Sequence, residues 1–99
     1  MLYAIVAEDR PGSGSARATA RPQHLERLEM LKAAGRLVIA GPFPALDSPD
    51  AGPAGVTGSL IVAEFESLDD AQAWADEDPY VAAGVYDRVT VRPFRLVLP

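Results

Sequence analysis

Cysteine is absent from the 99 residues. Disulfides, thiolate zinc sites and cysteine nucleophiles are therefore excluded, and nothing points to an oxidising compartment. Histidine occurs once, at His24, so a metal centre would have to be built from carboxylates, and no ligand spacing of that kind is recognisable. No metal is expected. Long apolar runs are also missing. None approaches the length that spans a bilayer, and the opening MLYAIVAEDRPG lacks the basic region and cleavage site of a signal peptide, so a cytoplasmic protein without a membrane partner is expected. Basic residues are few, 9 against 14 acidic, and scattered along the chain. With a net charge of −5 they make no footprint for a phosphate backbone, which argues against nucleic-acid binding. No nucleotide fingerprint is present, and no cofactor is expected.

What is present is apolar residue, 48% of the chain, enough for one compact domain spanning residues 1–99. The organising stretch is Arg21 to Phe43, RPQHLERLEMLKAAGRLVIAGPF, which reads as a helix, a tight stop and a buried strand. Pro22 suits the first helical position, where its missing N–H costs nothing, and Gly35 suits the left-handed residue just past the end. The helix is then about three and a half turns long. Leu25, Leu28 and Leu31 share its inward stripe with Arg21 and His24, while Glu26, Arg27, Glu29 and Lys32 populate the rest. An arginine at a helix start opposes the macrodipole, and locally unfavourable choices of this kind mark Arg21 and His24 as functional candidates.

Leu2 to Ala7 is apolar on both alternating sets, as for a central strand covered on both faces. Glu8 to Ala20, EDRPGSGSARATA, reads as a flexible connection, and its Gly-Ser-Gly lacks a phosphate-loop pattern. Asp9 and Glu8 read as solvated loop acids. Leu37 to Ala40 is a β-rich apolar run that ends at Gly41-Pro42, where a proline suits a strand terminus or an edge, and Pro44 to Thr57 is a Pro/Gly-rich surface loop. Gly58 to Glu66 is a second central strand, with Leu60, Val62 and Glu64 on one side and Ser59, Ile61, Ala63 and Phe65 on the other. Ser67 with Asp70 resembles a capping box and opens a second helix with the stripe Leu68, Ala71, Trp74 and Ala75. That helix stops before Asp78-Pro79, where Asp78 caps a short turn, YVAA, closed by Gly84. Val85 to Leu98 is a last strand whose alternation changes phase after Pro93, implying a bulge or an exchange of partner.

Strand, helix, strand, strand, helix, strand is the split βαβ repeat of the ferredoxin-like α+β plan, a single antiparallel sheet with both helices on one face. The other face would be apolar and open, so a second copy of the chain is the expected cover, giving a homodimer. Which alternating set faces the helices is left open by the sequence.

The chain also resembles the YciI-like family. The resemblance is carried by Asp9 to Gly12 (DRPG), Arg17, the R-P-x-H-L of Arg21 to Leu25, Gly35, Gly41-Pro42, Gly58-Ser59, Asp78-Pro79-Tyr80 with Gly84, and Arg92-Pro93-Phe94. It implies a dimeric α/β barrel of ferredoxin-like units and a His-Asp active centre, which falls on His24 and Asp78. It further implies kinship with small-molecule lyases such as a dehydrochlorinase acting on a chlorinated hydroquinone. The long loop from Pro44 to Gly55 departs from the family pattern.

Each candidate has a plainer reading. His24 can be a semi-buried boundary residue, Asp78 is explained as an N-cap, and the arginines can be surface ion pairs. Tyr80 and Trp74 read as core. The functional expectation is proton transfer of the lyase or isomerase type, with His24 as general acid or base oriented by Asp78. Arg17, Arg21 and Ser59 would bind an anionic or enol oxygen of an unknown small molecule. The competing expectation is a dimeric protein that binds such a ligand without turning it over.

Overall fold

A computed structural model describes all residues, 1–99. In chain order the elements are β1 (Leu2–Asp9), α1 (Gly14–Ala33), β2 (Leu37–Pro44), a 3-10 turn at Gly52–Ala54, β3 (Val56–Glu64), α2 (Leu68–Asp76), α3 (Pro79–Ala82) and β4 (Tyr86–Phe94). All pairings are antiparallel and the strand order is β2-β3-β1-β4, so the two strands that carry apolar residues on both faces are the central ones. This is the ferredoxin-like α+β fold that the element order implies.

Register decides which set meets the helices. Tyr3, Ile5 and Ala7 of β1 pair with Ala63, Ile61 and Ser59 of β3. Tyr3, Ile5, Ile61 and Ala63 join Phe65, Leu28 and Leu31 from α1, and Ala71 and Ala75 from α2, in the main core. Burial of these apolar side chains supplies most of the drive to fold, on the order of 1.5–3 kcal/mol for each large one. A smaller cluster of Ala7, Ala20, Tyr80, Val85 and Tyr86 packs at the other end of β1. The opposite sheet face presents Ala4 paired with Val62 and Val6 paired with Leu60, flanked by Ile39, Phe43 and Phe94, all three exposed.

Four expectations are corrected. The first helix begins at Gly14 rather than at Pro22, so the stretch read as a flexible connection is mostly helix and Pro22 lies inside it. Proline removes the N–H that the Ala18 carbonyl would accept, but both residues are exposed and water can serve instead. Long-range anchors hold the added turns: Ala20 is buried, and Arg17 bonds Asp9 and Ser59. Arg21 therefore sits mid-helix and the macrodipole argument does not apply to it. Second, β2 is an edge strand exposed from Val38 to Pro44, not a buried one. Third, β4 ends at Phe94, and its register irregularity lies at Glu8/Asp9 rather than after Pro93. The phase change marks where the ladder ends. Fourth, Leu68 is exposed, whereas Arg27 leaves the surface set, packing its guanidinium 4.2 Å from the Trp74 ring centre and donating to the Trp74 carbonyl at 2.7 Å.

The stops follow from local chemistry. After α1, the N–H of Gly35 bonds the Lys32 carbonyl and that of Arg36 the Leu31 carbonyl, with Gly35 at φ 72°, a Schellman closure. Ser67 accepts from the Asp70 N–H at 3.1 Å and opens α2. No helix is long and apolar enough to cross a membrane.

Gly58 leaves no room for a side chain in the sheet: a Cβ there would run into the Ala7 carbonyl oxygen. Gly58→Ala is expected to cost about 1–3 kcal/mol, lowering the melting temperature by about 4–8 °C per kcal/mol in a domain of this size. Thermal unfolding followed by circular dichroism checks this; an unchanged midpoint would show that β1 and β3 can separate locally at no cost.

Candidate functional site

α1 places Arg17, Arg21, His24 and Leu28 at successive steps of four, three and four residues, which stacks them along one face. The core takes the lower part of that face through Leu28 and Leu31. Its upper part stands clear of edge strand β2, and the gap is a cavity of about 180 Å³. Arg17, Arg21, His24, Ser59 and Tyr80 line it on the polar side, and Leu25, Ala40, Pro42 and Ile61 on the apolar side.

His24 and Asp78 meet within one chain. The His24 Nδ1 lies 2.9 Å from each carboxylate oxygen of Asp78. Both residues are buried. An ionised carboxylate only accepts, so Nδ1 carries the hydrogen and donates. Nε2 has no protein partner, yet it is not among the fully buried unpaired atoms, so it opens on the cavity that His24 lines. Asp78 also accepts the Tyr80 N–H at 2.9 Å, which makes it the N-cap of α3, with Pro79 at the first helical position. Gly84, at φ 73°, closes that turn. The capping reading and the dyad thus coexist in one carboxylate. A helix starting only at Pro22 would have put His24 in its first turn; in the longer helix His24 lies mid-helix, bonded to the Asp78 that caps α3.

Tyr80 is more than core. Its ring stacks on the imidazole, with centroids 4.0 Å apart and planes 15° apart, while the Arg17 guanidinium lies 4.6 Å from the ring centre. Burial pushes the Tyr80 phenol above its ordinary range, against the pull of Arg17 and Arg21, so it remains protonated at neutral pH.

Asp9 is not a solvated loop acid. It binds Arg17 in bidentate fashion, Nε to Oδ2 at 2.8 Å and Nη2 to Oδ1 at 3.1 Å. Burial works against the Arg17 charge, but the hydrogen bond and charge of Asp9 outweigh it, and the guanidinium is held above its usual pKa. Arg17 Nη2 also donates to Ser59 Oγ at 2.8 Å, and the Tyr86 hydroxyl bonds the same oxygen at 3.0 Å. Arg21 is exposed at the cavity, and its guanidinium makes no hydrogen bond or ion pair with the protein. All five candidate residues, His24, Asp78, Arg17, Arg21 and Ser59, therefore surround one cavity or, for Asp78, brace a residue that does. Sequence reasoning missed Asp9, Tyr80 and Tyr86; the only local signals were the eight-residue spacing of Asp9 from Arg17 and the position of Tyr80 two residues after the capping aspartate. No group of three or more His, Cys, Asp or Glu side chains is placed to hold a metal ion.

Chemically, the cavity offers one imidazole nitrogen with a free lone pair, an unpaired cation and a hydroxyl braced by a second cation. That is a set suited to moving a proton beside a negatively charged oxygen.

Residues 1–95 match the YCII-related domain. The chain is 60% identical over 97 residues to protein YciI of Escherichia coli, covering 98% of this chain and 99% of that protein. It is 50% identical, over the same length and coverage, to an uncharacterized protein of Haemophilus influenzae. Among solved structures it is similar to 5-chloro-2-hydroxyhydroquinone dehydrochlorinase from Burkholderia phenoliruptrix in complex with 2,5-dihydroxybenzoquinone. There the TM-score is 0.84 and the identity 32%, over 96% of this chain and 94% of that one.

Removing Asp78 should be costly in proportion to both of its bonds. Asp78→Ala is expected to lose about 2–4 kcal/mol, the cap contributing about 1 and the stranded imidazole donor the rest. Asp78→Asn keeps an oxygen to accept the Tyr80 N–H and sets an amide NH₂ beside Nδ1, which suits the ring as the opposite tautomer, so it should lose less. Denaturant titration of the two variants checks the difference; equal losses would mean that the carboxylate charge rather than the hydrogen bonds holds α3 in place.

Proposed function

The chain belongs to the YCII-related family, and from that premise we propose that it is a small-molecule enzyme of the proton-transfer type, a lyase or isomerase, working through His24 and Asp78. One observation carries the proposal: Nδ1 is tied to both Asp78 oxygens at 2.9 Å, which leaves Nε2 without a protein partner on a ring that lines the cavity. Held in that tautomer, Nε2 is the base. It takes a proton from an O–H or C–H of the substrate, and Asp78 stabilises the imidazolium that results. The negative charge left on the substrate oxygen falls to Arg21 and to the Ser59 hydroxyl braced by Arg17. In an elimination a leaving group then departs from a neighbouring carbon with the electron pair. In an isomerisation the imidazolium returns its proton at another atom of the substrate.

The structural likeness to a protein named for removing chloride from a hydroxyhydroquinone, and solved with a dihydroxybenzoquinone, supports a small, flat, oxygen-rich substrate. The cavity suits that class. Its volume of about 180 Å³ admits a single ring, its walls include Leu25, Ile61 and Pro42, and its charge favours an anion. Screening activated phenols, hydroxyhydroquinones and keto acids tests the proposal. His24→Gln should lower turnover by about 10²–10⁴-fold with the melting temperature nearly kept, and Asp78→Asn should lower it by a comparable factor, because its amide NH₂ turns the ring to the tautomer with hydrogen on Nε2. Full activity in His24→Gln would remove the dyad, and ligand-induced stabilisation without product would support binding alone.

We further propose that the chain acts as a homodimer, packed through the sheet face away from the helices, where Val6 is exposed, Ala4 and Leu60 are half-buried and Val62 is already covered. Val6 is 37% exposed in the single chain, so a charge there leaves the core intact and falls on the contact. Sedimentation at low micromolar concentration should show a dimer for the native chain and a folded monomer for Val6→Asp. A native monomer with no tendency to associate would overturn this. Ile61 lies on the helix side, so Ile61→Asp should unfold the chain instead.

A further inference from the structure

The polar groups around Ser59 are arranged with more constraint than a binding hydroxyl requires. Ser59 Oγ is bonded by Arg17 Nη2 at 2.8 Å and by the Tyr86 hydroxyl at 3.0 Å. A serine hydroxyl has two acceptor positions and one hydrogen. The guanidinium can only donate, so it occupies the first acceptor position. The direction of the second bond follows from the tyrosine's surroundings. Tyr86 is buried, and Ser59 is the one partner of its hydroxyl. If Ser59 donated to Tyr86, the phenol hydrogen would have no acceptor, an arrangement disfavoured for a buried donor. Tyr86 therefore donates, and both acceptor positions of Ser59 are filled.

We infer that Tyr86 is a positioning residue that fixes the polarity of the cavity: with Arg17 it leaves the Ser59 hydroxyl able only to donate, so the site selects a ligand oxygen that accepts. This rests on the reading of the cavity as a ligand site. The remaining tetrahedral position of Oγ carries the hydrogen, and Ser59 lines the cavity alongside His24 and Arg21. A phenolate, enolate or carbonyl oxygen meets that hydrogen well. A neutral hydroxyl that must donate meets a hydrogen facing its own. The device is held rigidly: Tyr86 packs edge-on against Tyr80 at 5.4 Å and 81°, and it stands at the Asp9 irregularity of the β1–β4 ladder, with Asp9 itself gripping Arg17. Burial pushes the Tyr86 phenol well above its ordinary range, so it keeps its hydrogen throughout the working range of pH.

Two ring probes of similar size separate the cases. 2,5-Dihydroxybenzoquinone loses its protons readily and offers acceptor oxygens at neutral pH, whereas hydroquinone carries hydroxyls that can donate. Equilibrium binding of each to the intact chain is measured by calorimetry, with no turnover needed. The native chain should prefer the quinone by about tenfold or more, and Tyr86→Phe, which frees one acceptor position on Ser59, should shrink that preference by about five- to tenfold. Ser59→Ala should also shrink it, and adding Tyr86→Phe to Ser59→Ala should change it no further. A merely structural role for Tyr86 would weaken both probes alike and leave the ratio where it was. The inference is overturned by an unchanged ratio in Tyr86→Phe, by an equal effect of Tyr86→Phe in the Ser59→Ala background, or by failure of the native chain to bind the quinone. Should Tyr86→Phe not fold, Ser59→Ala decides alone, and a retained preference overturns the inference. Absence of turnover would count against proton transfer without touching this result, and a lost preference with turnover intact would do the reverse.

Discussion

One buried carboxylate holds together the two parts of the chain that make the site. Asp78 accepts the Tyr80 N–H, and so starts α3, and it accepts Nδ1 of His24, and so fixes the imidazole on α1. A carboxylate in this position has to be satisfied on several sides, because leaving a buried charge short of partners costs more than the bonds return. The cap supplies one donor and the imidazole another. The arrangement explains why a four-residue helix, too short to be stable by itself, is ordered: its N-terminus is bonded by a side chain and its C-terminus closed by Gly84, and Tyr80 between them is 1% exposed.

A second carboxylate does the same work on the other side of the cavity. Asp9 fastens Arg17, Arg17 fastens Ser59, and the guanidinium lies over the Tyr80 ring whose opposite neighbour is the imidazole. The two networks are thus joined through one aromatic ring. Both acids are spent on holding side chains in place, which leaves Arg21 as the cation at the cavity without a protein partner. Charge compensated by the protein serves geometry, and uncompensated charge is left for a ligand.

Much of this was legible in the chain because it is written in local chemistry. Ser67, Pro79, Gly35 and Gly84 mark their helix ends through capping bonds and positive φ, and two-sided apolar alternation placed β1 and β3 at the centre of the sheet. His24 and Arg21 stand out on the helix stripe, though for Arg21 the macrodipole reason does not hold, and Asp78, Arg17 and Ser59 rest on motif resemblance, which says where to look but not what touches what. What stayed hidden is set by distance in sequence. The start of α1 is held by Ala20, buried in the cluster of Ala7, Tyr80, Val85 and Tyr86, and by Arg17 reaching Ser59, 42 residues away, while Pro22 imitates a helix start that tertiary contacts override. Tyr86 looks like the first residue of an ordinary strand, and only its 27-residue reach to Ser59 gives it a role. The exposure of β2 was half legible: Pro42 suits an edge, but an apolar run at an edge strand beside a cavity looks the same as one in a core.

The central claim is a geometric one: Asp78 holds His24 as the tautomer with hydrogen on Nδ1, so that Nε2 faces the cavity with its lone pair free. Because His24 is the only histidine, one nitrogen-15 histidine label reports on this ring and nothing else. Nitrogen NMR above the pH at which the ring is charged should show a protonated Nδ1 and an unprotonated Nε2, with the Nε2 signal moving when 2,5-dihydroxybenzoquinone is added. A ring protonated on Nε2, or an Nε2 signal indifferent to every ligand that binds, would contradict the account.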